Sequence, residues 1–151
     1  VVSYRPPGSL PAFFSYYETP VKLVADEVGH VIGWKLSKAD GGWERADDLV
    51  RKILLVGGDE IEELSRNEFI EYTEHDRGRY LRGVGPIFAL YETVSAIVEQ
   101  ADLERRPLTP HESALVAGIR RKTFVMFEEQ LEQAGDPAAD PSLGIEGSSS
   151  F

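Results

Sequence analysis

Val21 to Ser37 reads VKLVADEVGHVIGWKLS, and its apolar residues alternate along the chain. Val21, Leu23 and Ala25 share one side of an extended strand, and Ile32, Trp34 and Leu36 share one side of a second. Gly29 between them takes up positive φ without steric cost, so the stretch is expected to form a β-hairpin with His30 near its tip. Upstream, Phe13-Phe14-Ser15-Tyr16-Tyr17 is short and aromatic and lies between Pro11 and Pro20, which makes it a further strand. Downstream, Asp40-Gly41-Gly42 supplies turn residues, and Trp43-Glu44-Arg45 is expected to return as a short fourth strand. The front third therefore reads as an antiparallel meander, preceded by a Pro-rich arm over residues 1–11 that carries Pro6, Pro7 and Pro11.

Period two then gives way to helical spacing. Asp47-Asp48 opens a short helix with Leu49, Val50, Ile53 and Leu54 on one side, and Gly57-Gly58 stops it. Ser65-Arg66-Asn67-Glu68 has the form of a capping box, so a second helix is expected from there, with Phe69 and Tyr72 inward, ending near Gly78. Pro86 suits a first helical position, and Ile87, Leu90, Tyr91, Val94, Ile97, Val98 and Ala101 recur at helical spacing up to the break at Pro107. Thr109-Pro110-His111-Glu112 starts a last helix that runs to Gly135 and pairs with its predecessor as a helical hairpin. Strands first and helices after argue for an α+β fold: an N-terminal antiparallel β-meander of three to four strands, packed on one face by about four helices, rather than a doubly wound parallel sheet. Residues 1–135 read as a single α+β domain. Residues 136–151, with Pro137, Pro141, Gly144, Gly147 and a serine run, read as a flexible C-terminal tail.

Composition narrows the chemistry. Among 151 residues there are 26 acidic and 16 basic side chains and no cysteine, for a formal net charge of -10. Absence of cysteine excludes disulfides, thiolate metal sites and a cysteine nucleophile, and points to a reducing, cytoplasmic setting. The longest uncharged stretch is interrupted by prolines and falls short of the roughly 20 residues of a bilayer span, so no membrane association is expected. Excess negative charge disfavours non-specific nucleic-acid binding.

That charge is concentrated. Between Asp59 and Asp76 stand Asp59, Glu60, Glu62, Glu63, Glu68, Glu71, Glu74 and Asp76 against a single Arg66. Such a strip would steer a basic protein toward this chain, although the same carboxylates also suit the wet face of an amphipathic helix. Tyr16 and Tyr17 join it as contact candidates, because alternation in an aromatic strand puts rings on both faces of the sheet. The leading expectation is a non-enzymatic interaction domain of inhibitor, immunity or adaptor type that binds a basic partner protein.

A second expectation comes from Arg77-Gly78-Arg79-Tyr80-Leu81-Arg82-Gly83-Val84-Gly85-Pro86, where Arg79, Arg82, Gly83 and Gly85 precede a helix start and could hold a phosphate or carboxylate of a small molecule. The full phosphate-loop spacing is absent, and Pro86 removes one N–H donor. Asp59 to Glu63 does not follow calcium-loop spacing, Glu71 and His75 make only a solvated pair, and three isolated histidines without a serine elbow nominate no nucleophile and base. No metal or cofactor is expected and no catalytic set can be nominated from spacing, while the Arg/Gly-rich helix start would serve an anion-binding domain or an enzyme alike. Arg120-Arg121-Lys122 is expected to face Glu92, Glu99 or Asp102 or to be merely exposed, and Phe124-Val125-Met126-Phe127 reads as buried, with a subunit or partner surface, such as that of a homodimer, as the alternative.

Overall fold

The computed structural model describes residues 9–146, so most of the expected arm and the chain from Gly147 onward lie outside the described residues. Five strands form one antiparallel sheet: β1 (Ala12–Tyr16), β2 (Thr19–Ala25), β3 (Val31–Leu36), β4 (Trp43–Arg45) and β5 (Ile61–Leu64), in the order β4-β3-β2-β1-β5. The α+β expectation holds, with one strand more than the sequence pattern suggests. β5 pairs antiparallel with β1, with Phe13 opposite Leu64, Ser15 opposite Glu62 and Tyr16 opposite Ile61.

Cross-strand register explains why the meander's alternation looks one-sided in each strand and yet differs between strands. Phe13 lies opposite Lys22 and Lys22 opposite Trp34, so these three share a face. Phe14 lies opposite Val21, which shares the other face with Leu23. Both faces are covered. Against the first pack the long helices, in a core of Phe13, Trp34, Leu36, Trp43, Leu64, Phe69, Ile70, Phe124 and Leu143. Against the second packs α1 (Asp47–Arg51), continued by a π-helical turn over Lys52–Val56, in a core of Ala12, Phe14, Val21, Leu23, Leu49 and Ile53. The expected single helical face is thus corrected to a sheet enclosed on both sides. Gly33 permits the second layer: a Cβ there would stand 2.6 Å from the Ala46 carbonyl oxygen. Each fully buried large apolar side chain contributes about 1.5–3 kcal/mol, and Phe14, Val21, Leu23 and Ile53 are all fully enclosed on this side.

β1 and β2 join through a two-residue turn, Tyr17-Glu18, since Tyr16 pairs directly with Thr19. Both turn residues have positive φ, 46° and 65°. Two-residue hairpins need this left-handed geometry and usually meet it with Asn-Gly, whereas a side chain with a Cβ costs about 1–2 kcal/mol there.

Three long helices follow: α2 (Arg66–Tyr80), α3 (Pro86–Leu103) and α4 (Pro110–Gln133). α2 begins with the expected capping box, in which Glu68 N–H donates to Ser65 Oγ and Ser65 N–H donates to Glu68 Oε1. It continues past Gly78, which faces the Tyr91 ring of α3 and keeps helical geometry, to Tyr80. α3 and α4 form the expected hairpin, and α4 starts at the expected Thr109/Glu112 capping box. Glu112 also accepts from Arg106, and this pairing holds its carboxyl down at about 2. Since the folded-state value lies below the unfolded 4.5, the ionised group stabilises the fold above that pH and loses the contribution as pH falls toward 2. Glu112→Gln keeps the cap and removes the charge, so its melting temperature should sit below wild type at pH 7 and converge on it under acid titration; a constant gap would overturn this.

Residues 136–146 are not the mobile tail their composition suggests. Ala138 and Leu143 belong to the helix-side core, α5 (Ser142–Glu146) packs on α4, and the Asp136 carboxylate accepts from Trp43 N–H at 3.1 Å. Pro and Gly shape a turn here without freeing it. Among the described residues no helix is long and apolar enough to cross a membrane.

Candidate functional site

β5 brings together the two sets of contact residues that lie far apart in the sequence. By pairing with β1 it sets Glu62 and Glu63 opposite Ser15 and Phe14, and Tyr17 N–H donates to the Glu60 carbonyl at 3.0 Å. Tyr16, half-buried, packs its ring edge-on against Tyr17 with centroids 4.8 Å apart, and Tyr17 is 69% exposed. Because side chains alternate along a strand, Glu62 shares the helix-side face with Ser15 and Glu63 the α1-side face with Phe14, so the two acids flank the sheet edge from opposite sides with the aromatic turn at its end.

Individual carboxylates of the strip meet different fates. Asp59, Glu62, Glu63 and Glu68 are exposed. Glu60 forms an ion pair with Lys52 at 2.9 Å, which holds its carboxyl below the usual range. Glu71 pairs with Arg120 at 3.0 Å, so Arg120 faces α2 rather than an acid of α3 as its sequence context suggested. Glu74 must be removed from the contact set altogether: it is 1% exposed and turned into the core. Helical periodicity put Glu68, Glu71 and Glu74 together on a wet stripe, but α4 and α3 close over the last of the three.

Beside this surface lies a groove of about 520 Å³ whose walls include Tyr17, Glu18, Tyr72, Asp76 and Tyr80. Tyr72 Oη donates to Glu62 Oε1 at 3.2 Å. Partial burial pushes the Tyr72 phenol up, and the nearby charges of Glu62, Glu68 and Glu18 push it further. Carboxylates from the turn, β5 and α2 therefore converge on one ring. Cations line the same groove: about two turns along α2 from Tyr72, Lys38 Nζ lies 5.0 Å from the Tyr80 ring centre and the Arg79 guanidinium 5.5 Å from it, and Arg120 is paired with Glu71. Tyr17 also lines a second depression of about 340 Å³ on the α1 side, so it stands on the ridge between the two. Glu18 and Tyr72 were missed as site residues by sequence reasoning, because only the β1–β5 pairing shows that they are neighbours of Glu62.

The alternative anion set is arranged differently. Arg79, Arg82 and Gly83 line an open groove of about 720 Å³ between α2, α3 and α4, and Gly85 does not. Arg82 spends its guanidinium on the carbonyls of Arg79 and Leu81, at 2.9 and 2.8 Å. Gly83 lies under the Phe88 ring, where a Cβ would come within 2.7 Å of it, and Gly85 with φ of 115° makes the turn into α3. Glu92, Glu99 and Asp102 form the facing wall, which works against an anion. Among the described residues no three acidic or histidine side chains converge as a metal site, and His30 and His75 pair only with their neighbours Asp26 and Asp76.

The least expected feature is a buried ionic cluster. Arg77 of α2 is 1% exposed and bonds Glu74 Oε2 at 2.8 Å, Glu128 Oε2 at 2.5 Å and the Gly41 carbonyl at 3.0 Å, with its guanidinium 4.2 Å from the Phe127 ring centre. Gly41 is required at that place, since φ is 78° and a Cβ would press on Phe127 at 2.6 Å. Tyr91 Oη donates to Glu74 at 2.8 Å, and Trp43 Nε1 and Asp140 N–H donate to Glu128 at 3.1 and 2.9 Å. Lys22 completes the cluster, donating to the Ala138 carbonyl with its ammonium 4.6 Å from the Trp43 ring centre. Burial pushes the Lys22 ammonium down, against the pull of Glu128 and Asp140, and burial pushes the Glu74 carboxyl up, against Arg77. Two cations and two carboxylates balance, and every charged group is hydrogen-bonded, which is the condition for tolerating charge in a core. Their enclosure and mutual saturation make them structural.

A scan against family models, a search of curated proteins and a search of solved structures found no match to this chain.

Proposed function

We propose that this protein is an acidic protein–protein interaction domain that binds a basic partner through the β5 edge, the Tyr17-Glu18 turn and the start of α2. One observation supports the reading above the others: the pairing of β5 with β1 and the bond from Tyr17 N–H to the Glu60 carbonyl bring the acidic segment from Asp59 to Glu63 next to the turn that exposes the Tyr17 ring. Clustered like charge raises the association rate with an oppositely charged surface, and an exposed tyrosine supplies contact area at low entropic cost. An inhibitor, immunity or adaptor role is consistent with a surface of this kind. The anion-binding alternative is supported less well, because Arg82 is internally bonded and three acids face Arg79 across the groove.

The test compares wild type with an Asp59→Lys, Glu62→Lys, Glu63→Lys variant as baits for native lysate at low and moderate salt. A basic protein held by wild type, lost at moderate salt and lost by the variant is the expected outcome, with association of the purified pair slowed at least about tenfold. Retention of the same proteins by the charge-reversed variant would overturn the reading, as would recovery of only acidic or neutral proteins.

A further inference from the structure

Tyr17 and Glu18 occupy the two left-handed positions of a two-residue hairpin, where a glycine or asparagine is the relaxed choice. Nothing in the packing of the sheet requires a tyrosine there, since its side chain is 69% exposed. The turn is nevertheless fixed: Tyr17 N–H is tied to Glu60, and the Tyr16 ring backs the Tyr17 ring edge-on. A strained, rigidly held and solvent-facing aromatic is a costly arrangement for a fold alone and a useful one for recognition.

The surroundings define what it would meet. Tyr17, Glu18 and Tyr72 border the 520 Å³ groove, and Glu62 joins them through the Tyr72 hydroxyl. Aromatic faces next to carboxylates suit a planar cation, which stacks on a ring while its N–H groups reach the acids. Tyr80, about two turns along α2 from Tyr72, carries Lys38 and Arg79, and these repel a second cation. Complementarity therefore selects a single positive side chain beside Tyr17 rather than a uniformly basic segment along the groove.

We infer that the Tyr17-Glu18 turn is a preorganised anchor that receives an arginine side chain of the basic partner between the rings of Tyr17 and Tyr72, with Glu18 and Glu62 as its acceptors. This rests on the interaction-domain reading and adds to it the residue that carries specificity and the chemistry of its occupant. Relaxing the turn then has opposite effects on fold and binding. Tyr17→Asn with Glu18→Gly gives the turn its preferred residues, so the melting temperature should rise by about 4–8 °C. The same variant should bind more weakly.

The probes are two blocked peptides, one alternating arginine with glycine and one alternating lysine with glycine, titrated at low salt by calorimetry. Wild type is expected to bind the arginine peptide more tightly than the lysine peptide, and Tyr17→Asn/Glu18→Gly to lose about tenfold in affinity for it while gaining stability. If the relaxed variant binds as wild type does, or if arginine and lysine peptides bind equally, the anchor is overturned and the acidic surface stands. If wild type binds neither peptide while its charge-reversed form behaves the same, the interaction-domain reading fails with it.

Discussion

Arg77→Met should lower the free energy of unfolding by about 3–5 kcal/mol, a large part of the 5–15 kcal/mol usual for a domain. The side chain is 1% exposed and is the cation shared by Glu74 and Glu128, so its loss leaves Lys22 alone against two buried carboxylates. Charge imbalance, more than lost packing, sets the size of the effect, because methionine fills much of the same volume against Phe127. A second variant separates the two causes. Arg77→Met with Glu74→Gln restores one cation to one anion and keeps an acceptor for Tyr91 Oη, so it should be more stable than Arg77→Met alone by about 1–2 kcal/mol. Urea denaturation of wild type, Arg77→Met, Glu74→Gln and the double variant measures this. A loss under 1 kcal/mol for the single variant, or a double variant that is merely the sum of its parts, would show that the cluster is not held by charge balance.

That cluster marks where the sequence stops being readable. Lys22 alternates with Val21 and Leu23 and so looks like the wet side of a half-buried strand, which is a correct inference whenever one face of the sheet is free. Here the second face is taken by α1, and a lysine on a doubly covered sheet must find partners inside. Glu74 and Glu128 likewise satisfy helical periodicity as surface residues, and only the close approach of α2 and α4 turns them inward. Local signals fared better. Both capping boxes, the helical hairpin and the meander follow from residues within a few positions of one another. β5 did not, since Ile61-Glu62-Glu63-Leu64 has too few apolar residues to announce a strand and is defined by its partner β1. Because the proposed surface depends on that long-range pairing, the tyrosines and the acids could each be singled out in the sequence, but their adjacency and the roles of Glu18 and Tyr72 could not.

Ending the chain after Gly135 should destabilise the protein by at least about 3 kcal/mol, the opposite of what a Pro-, Gly- and Ser-rich terminus suggests. Leu143 is 3% exposed in the helix-side core, and losing such a side chain costs about 2–5 kcal/mol by itself. The segment also supplies polar partners that nothing else replaces: the Ala138 carbonyl for Lys22, the Asp140 N–H for Glu128 and the Asp136 carboxylate for Trp43 N–H. Removing it uncovers Lys22 and Glu128 at one edge, where water re-solvates them in part, so the loss stays below the sum of these contacts. Leu143→Ala isolates the apolar share and should cost about 2–3 kcal/mol, with the truncation costing more. Thermal and urea unfolding of both variants against wild type decide the matter. A truncated chain as stable as wild type would mean that residues 136–146 lie on the fold without supporting it, and that the charges of Lys22 and Glu128 are balanced by Arg77 and Glu74 alone.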